Sequence, residues 1–521
     1  MRTREHGPAA GIDAQVRHPG LSARFVFLVL AVVGTVPPAQ AGPLRFFGLD
    51  TGAVATANSE VAYGSGVGVL FSNPALMSRF EELASVQLFV YRPELTVNLM
   101  DRPKAADITY IYYNSNVTKY PDNPNRPLPT IELRTPRADN EVDGADAYVG
   151  AGITYSFGIE GMRLGGLVHM PAAGMVSAET YYPDEREQSF TNTVHFARFG
   201  EWSKLANVLV GASYAPVKWA SFGASLQGTA STATTIDVYI PEATVQDYFL
   251  VKNRTIMAAA ARPILGIQVE PLDFLAAGLV LKWRSYLSVN GNGNMNLWNF
   301  HETEDATGEK RTVPKRVSQQ FRLALDYEPM ELTGGVGFRF KGWQLQGAAT
   351  WNRWSDYRDG YGAIPQDTAV YPDGTPAVDG KHFAFSDTLS LNAGVIYRYL
   401  DHFEAKAGFA YLPSPVPAQT GRTNFADADL FCAALGHRFD FSVNRLAFFA
   451  EIGAQLWWLS ERTTYKDPLL VKDEFPDDSV TLLDGVELAS AKGLQTNNPG
   501  YPGFIQKGWM LVTAASLGFK L

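Results

Sequence analysis

The feature that most constrains this chain is a two-residue alternation of apolar with polar or small side chains, repeated along most of its length. From Leu446 to Leu456, Leu446, Phe448, Ala450, Ile452, Ala454 and Leu456 share one face of an extended strand. Arg445, Ala447, Phe449, Glu451, Gly453 and Gln455 share the other. Successive strand side chains point to opposite faces, so this pattern is a strand with one apolar and one mixed polar face. Asp401 to Tyr411 behaves alike: Phe403, Ala405, Ala407, Phe409 and Tyr411 oppose His402, Glu404, Lys406 and Gly408. The sequence ends with Trp509, Leu511, Thr513, Ala515, Leu517, Phe519 and Leu521 on one face. A helical membrane protein of this size carries several apolar runs of about 18 or more residues, and none is present here.

Fourteen such segments are readable, at about 85–99, 145–159, 161–177, 202–215, 219–238, 254–271, 273–290, 315–340, 342–357, 385–399, 402–417, 427–440, 444–465 and 505–521. Their connections alternate in length. Tight turns are expected near Glu160-Gly161, Val217-Lys218, Pro271-Leu272, Lys341, Leu400-Asp401 and Asn444, and long polar loops at about 100–144, 178–201, 239–253, 291–314, 358–384 and 466–504. Short turns at one end, long loops at the other and an even strand number describe a bacterial outer-membrane barrel. A soluble β-sandwich or propeller explains neither the alternation of loop lengths nor the N-terminus described below. Composition agrees: charged residues are 19%, below the roughly 25% of soluble proteins, and aromatics are 12%. The net charge of −9 disfavours nucleic acid as a partner. The single cysteine, Cys432, rules out an internal disulfide and a Cys-rich metal site.

Residues 1–41 read as an export signal: Arg17 and Arg24 precede an apolar stretch from Phe25 to Val33, and Ala39 and Ala41 fit a small-residue cleavage site. Residues 42–84 are rich in Gly, Ala, Ser and Asn without clear alternation. Irregular backbone at membrane depth is tolerated only where protein shields it from lipid, so this segment is expected inside the barrel as a plug. The barrel itself is assigned to residues 85–521.

Three motifs then carry a resemblance. "SNPALMSRF" spans Ser72 to Phe80, "TWNRWSDY" contains Trp351, Trp354 and Ser355, and "FSDT", "GVIYRY" and "AGFAYLPSPVP" follow in order from Phe385 to Pro417. In this order, behind an export signal, they resemble the FadL/TodX family of outer-membrane transporters for long-chain fatty acids and aromatic hydrocarbons. The chain departs from the family pattern at Lys406, Leu412 and Ala426. The resemblance implies a fourteen-stranded antiparallel transmembrane β-barrel with an N-terminal hatch in the lumen. It also implies passive transport of a hydrophobic small molecule, without cofactor, by a monomer surrounded by outer-membrane lipid and lipopolysaccharide.

Several residues are candidates for that work. Asn73, Pro74 and Ala75 form the hatch motif: Pro fixes φ, and Asn bonds local backbone. Pro171 and Gly174 interrupt the third strand, where Pro removes a ladder donor and Gly weakens pairing. In the resembled family a kink there opens the wall sideways. Trp351 and Trp354 are either gate aromatics or part of an interfacial girdle. Lys282, Arg284, Arg322, Arg339 and Lys406 are candidate cations for a ligand carboxylate, against a purely structural role in lumenal charge networks. A water-filled porin for polar solutes is the first alternative function, disfavoured by a plug. An outer-membrane lipid-modifying enzyme or an adhesin is the second. For an enzyme, His169, His195, His382, His402 and His437 are scattered without a catalytic motif.

Overall fold

The computed structural model describes residues 47–103, 106, 137–172, 192–199, 205–239, 250–304, 310–357, 361–364, 383–473, 493–494 and 496–521. The export signal and Gly174 lie outside the described residues, as does the side chain of Arg322. In chain order the first strands are β1 (Leu83–Leu99), β2 (Asn140–Val142), β3 (Asp146–Tyr155), β4 (Met162–Pro171), β5 (Ala206–Val217) and β6 (Ala220–Tyr239). Next come β7 (Leu250–Leu272), β8 (Leu275–Lys282), β9 (Ser285–Glu304), β10 (Lys310–Glu328), β11 (Met330–Phe340) and β12 (Trp343–Arg353). The last are β13 (Tyr361–Ile364), β14 (Thr388–Leu400), β15 (Phe403–Leu412), β16 (Leu430–Val443), β17 (Leu446–Tyr465) and β18 (Gly503–Lys520).

The main sheet runs β1-β3-β4-β5-β6-β7-β8-β11-β12-β14-β15-β16-β17-β18, and β18 pairs back onto β1. Fourteen antiparallel strands thus close into a barrel, with the three-residue β2 continuing the β3 side of β1. The closing seam pairs β1 along its whole length, from Leu83↔Lys520 to Leu99↔Phe504. No described helix is long and apolar enough to cross a membrane, and the crossing is made by strands whose backbone groups bond to neighbours all round the ring.

Each strand read from the alternation has a counterpart. Two of them, 273–290 and 315–340, prove to be broken. The chain leaves the ring after Lys282 and re-enters at Met330, and β9, β10 and β13 form a separate three-stranded sheet. Pro329 stands at the second break and has no N–H for a ladder. The tight turns have a plain cause in two places. Lys341-Gly342 and Asn444-Arg445 join strands whose flanking pairs are Phe340↔Trp343 and Val443↔Leu446. All four residues have positive φ, as two-residue hairpin turns matching strand twist require.

The outer face is apolar and continuous. Val86, Leu435, Ile452 and Leu517 are all more than half exposed on β1, β16, β17 and β18. At the short-turn end an aromatic belt crosses successive strands: Trp343 stacks on Tyr397, Tyr399 on Phe403, Phe403 on Phe439, and Phe441 on Phe448. At the long-loop end Tyr411, Phe431 and Trp458 form a second belt. Phe431 and Phe439 lie on one strand, roughly 27 Å apart at about 3.4 Å per residue. Strand tilt brings that separation towards the ~25 Å apolar band of outer-membrane barrels. Leu435 sits midway between the belts. Leu435→Arg is expected to lower barrel stability in lipid by about 2–4 kcal/mol, and Val443→Arg at the turn by no more than about 1 kcal/mol. Denaturant unfolding in bilayers checks this, and equal costs at both positions would contradict the membrane placement.

Candidate functional site

The inward face of the ring carries the residues with chemistry, together with the chain segment that precedes β1. That segment contains helix α1 (Thr51–Ala55), helix α2 (Val69–Ser72) and a 3-10 helix (Pro74–Arg79). Asp50 organises its first half. Its carboxylate accepts hydrogen bonds from the N–H of Ala53 at 2.7 Å, capping α1, and from the N–H of Gly68 at 2.8 Å. Asn73 organises its second half. Its side-chain amide donates to the carbonyls of Val61 at 2.8 Å and of Ile267 on β7 at 3.3 Å, while its carbonyl accepts from Ala75 N–H. The Asn-Pro-Ala motif therefore bonds both to its own segment and to the barrel wall.

The wall is shaped to receive it. A Cβ at Gly223 on β6 would overlap the backbone of Pro74 and Ala75, one at Gly266 on β7 the Asn73 side chain, and one at Gly278 on β8 the Val61 carbonyl. Three adjacent strands thus present backbone where Asn73, Pro74 and Ala75 seat. Farther round, Gly408 on β15 lies against Thr56 and Ala57, and Gly436 on β16 against Ala55.

Buried charges tie α1 to the wall. Lys406 Nζ on β15 lies 2.5 Å from Glu451 Oε1 on β17. Asp50, Glu60 and Lys406 converge on Gly52, whose notional Cβ would meet all three within 3.4 Å. Burial pushes the Glu60 carboxyl up to about 8, against the pull of Lys406 and with further upward pushes from Asp50, Glu451 and Glu404. Asp50 is raised as well, chiefly by burial.

The other candidate cations are distributed as follows. Lys282 Nζ lies 3.3 Å from Glu331 and 3.6 Å from the centre of the Phe71 ring. Arg262, fully buried, contacts Glu328 and Glu331 at 3.1 Å each. Arg284 is exposed and pairs with Asp356 at 3.4 Å. Arg339 lies over the Tyr63 ring and donates to Gln344 at 3.0 Å. Trp351 and Trp354 separate: Trp351 shares the outward face of β12 with Trp343 and Leu345, whereas Trp354 turns inward on a 3-10 helix. There Trp354 packs with Phe385, Val416 and Phe425. On β4 the ladder with β5 ends at His169↔Asn207, whereas bonding to β3 continues through Pro171↔Tyr148 to Ala172, whose N–H donates to the Ala147 carbonyl at 2.7 Å.

Sequence reading did not single out a further set. Arg198 and Asp427 form a buried ion pair at 2.9 Å, and Arg198 also donates to the carbonyls of Pro413 and Ala428. Below them is a cavity of about 90 Å³. Its floor includes Asn58, Val61 and Phe71, its wall Thr333, Thr350, Asn352 and Ser390, and Trp354 also lines it. The wall residues were legible once strand faces were assigned, because they occupy the inward parity of β11, β12 and β14.

A barrel of this construction matches one family model, "Outer membrane protein transport protein (OMPP1/FadL/TodX)", over residues 188–447. The chain belongs to the FadL/TodX family. Among solved structures, a Pseudomonas aeruginosa FadL homologue is 12% identical, covers 92% of this chain and 99% of its own, and superposes with a TM-score of 0.54. The Pseudomonas putida toluene transporter TodX is 13% identical, covers 91% of this chain and 99% of its own, and has a TM-score of 0.49. The first of these shares the fold. No curated protein matches the sequence. As a FadL/TodX protein the chain is placed in the outer membrane.

Two expectations follow for the segment that seats against the wall. Gly223→Val with Gly266→Val is expected to displace Asn73–Ala75 and to raise single-channel ion conductance in planar bilayers above the wild-type level. Unchanged conductance in a correctly assembled double variant would contradict it. Separately, the folded protein holds the Glu60 proton at pH values where the unfolded chain has lost it. Its contribution to stability is therefore present at low pH and lost as pH rises from about 4.5 to about 8. Glu60→Gln is expected to flatten that part of the decline, read as unfolding midpoints at pH 5 and pH 9. Parallel pH profiles for variant and wild type would remove the role given to Glu60.

Proposed function

We propose that this protein carries hydrophobic molecules, long-chain fatty acids or similar hydrocarbons, passively across the outer membrane, with residues 42–84 acting as a hatch in the lumen. The observation that carries this reading is the reach of the segment before β1. Its side chains or backbone meet Gly152 on β3, Gly223 on β6, Gly278 on β8, Gly337 on β11, Gly408 on β15 and Gly453 on β17. Positions so spread round a closed ring are reached together only from inside it. A segment there obstructs a wide aqueous path, which disfavours a porin for polar solutes. Family membership supports transport as the activity.

The energetics favour release into lipid. Burial of apolar surface is worth about 0.8 kcal/mol per CH₂, so an acyl chain enters a dry lumen readily and leaves into water reluctantly. An exit through the wall avoids that cost. In this reading the exit lies where β4 stops pairing, beside Pro171 and towards Gly174. Support comes from the β4–β5 ladder, which ends at His169↔Asn207 while β4 continues to Pro171, and from Pro171, which has no N–H to donate. The surroundings are outer-membrane lipid and lipopolysaccharide, and the working unit is a monomer.

The test is Pro171→Val with Gly174→Ala. Ligand uptake into vesicles is expected to fall several-fold while assembly and outer-membrane level hold. Uptake at the wild-type rate, in a variant whose amide exchange shows the ladder extended, would redirect the path through the hatch into the periplasm.

A further inference from the structure

The cavity beneath Trp354 is polar in a way that a carrier of bare hydrocarbon does not require. Eleven of its fifteen lining residues are polar or charged. Hydroxyl and amide groups from three neighbouring strands face it as a continuous rail. Thr333 and Thr350 are direct cross-strand partners with their oxygens 3.0 Å apart. Asn352 Nδ2 donates to Ser390 Oγ at 3.0 Å. The volume, about 90 Å³, holds roughly six or more waters at ~10–15 Å³ of accessible space each, or the polar end of a small organic molecule.

The charges around this cavity are already used. Lys282 is held by Glu331, and Arg262 lies between Glu328 and Glu331, so two cations face two carboxylates. Arg198 is held by Asp427. A carboxylate ligand entering here would find each of these cations neutralised and would face Glu331 itself. Breaking a buried pair to free a cation leaves its partner uncompensated, which is strongly unfavourable. A bare hydrocarbon fares poorly for another reason: it displaces water from Thr333, Thr350 and Ser390 and offers no hydrogen bond in return. A neutral molecule with one hydroxyl or carbonyl beside an apolar body meets both conditions. Its oxygen exchanges hydrogen bonds with the rail, and its apolar part lies against Phe71, Val61 and Trp354.

We propose that this cavity selects neutral oxygenated hydrophobic compounds, alcohols or ketones, over both carboxylates and unsubstituted hydrocarbons. The proposal rests on the transport reading above, keeps passive carriage of a hydrophobic molecule, and replaces fatty acids and bare hydrocarbons with neutral oxygenated compounds as the ligands this cavity prefers. The test uses a matched set of benzyl alcohol, benzoate and toluene. Binding of each to the purified full chain in detergent is measured by equilibrium dialysis at pH 8 against a protein-free micelle blank. Uptake of each into outer-membrane vesicles is measured in parallel. Benzyl alcohol is expected to bind about fivefold tighter than either analogue, the scale of one net hydrogen bond added to groups that already pair with each other. Thr350→Val with Ser390→Ala is expected to cut its preference over toluene to less than about threefold without weakening toluene. Both proteins are checked for barrel assembly by heat-dependent gel mobility.

Toluene or benzoate binding as tightly as benzyl alcohol in the wild type would overturn the proposal. So would an unchanged preference in the assembled double variant, or no saturable binding of benzyl alcohol. If uptake of any of the three still depends on the protein in those cases, the transport reading stands without this specificity. If no uptake of any of them, nor of the long-chain fatty acid oleate measured beside them, depends on the protein, the transport reading falls with it.

Discussion

Closure of β1 onto β18 is the constraint on which the rest of the molecule depends. In hydrocarbon each unpaired backbone N–H or C=O costs several kcal/mol. A fourteen-stranded sheet left open would expose two such edges to lipid. The seam from Leu83↔Lys520 to Leu99↔Phe504 removes both. It also makes the two faces unequal. The outer one meets lipid and carries Val86, Leu435, Ile452 and Leu517 between two aromatic belts. The inner one buries many of its polar residues between wall and segment, such as Arg262, Gln268, Lys406 and Gln455, and these find partners within the protein.

That burial explains the charge pairing inside. Lys406 with Glu451, Arg262 and Lys282 with Glu328 and Glu331, and Arg198 with Asp427 are all assembled from different strands or loops. Each pair cancels locally, because an isolated buried ion is far costlier than a matched one. These pairs also sit where the segment before β1 meets the wall. Lys406 approaches α1 beside Asp50 and Glu60, and Lys282 lies over Phe71 of α2. The same contacts that neutralise the interior therefore hold the segment in register with the ring. The glycines of β6, β7 and β8 do the steric half of this, admitting Asn73, Pro74 and Ala75 to backbone distance.

The family to which the chain belongs is one of transport, and the interior has the two properties transport needs. The segment before β1 is held to the wall by many modest contacts, which suits the hatch role proposed for it. The interior also has a cavity, lined by that segment and by Arg198, which in the reading proposed above discriminates by hydrogen bonding more than by charge. Chemistry of this kind sorts ligands by whether they add a hydrogen bond to hydroxyls that keep unused capacity beside their existing pairing.

The sequence by itself determined the strands, their faces and the alternation of short and long connections. All three follow from a local rule, the two-residue period of an extended chain against a lipid exterior. The outward direction of Trp351 is implicit there, but the inward turn of Trp354 is not, because β12 ends at Arg353 and Trp354 opens a 3-10 helix. The tertiary structure alone decided which interior charges are spent. Arg262 meets Glu331, and Arg198 meets Asp427, across strands and loops far apart in sequence. No periodicity records such a pairing, because it depends on ring closure and on the shear between strands. The break at Pro329 and the separate sheet of β9, β10 and β13 were hidden for a related reason. Alternation carries 273–290 and 315–340 across both breaks, the stretch 291–314 reads as a polar loop although β9 runs to Glu304 and β10 starts at Lys310, and only the pairing of strands shows that the chain has left the ring. The space beneath Trp354 likewise exists only once Asn58, Val61 and Phe71 lie opposite Thr333, Thr350 and Ser390, because a cavity is a property of what lies opposite and not of any residue in its wall.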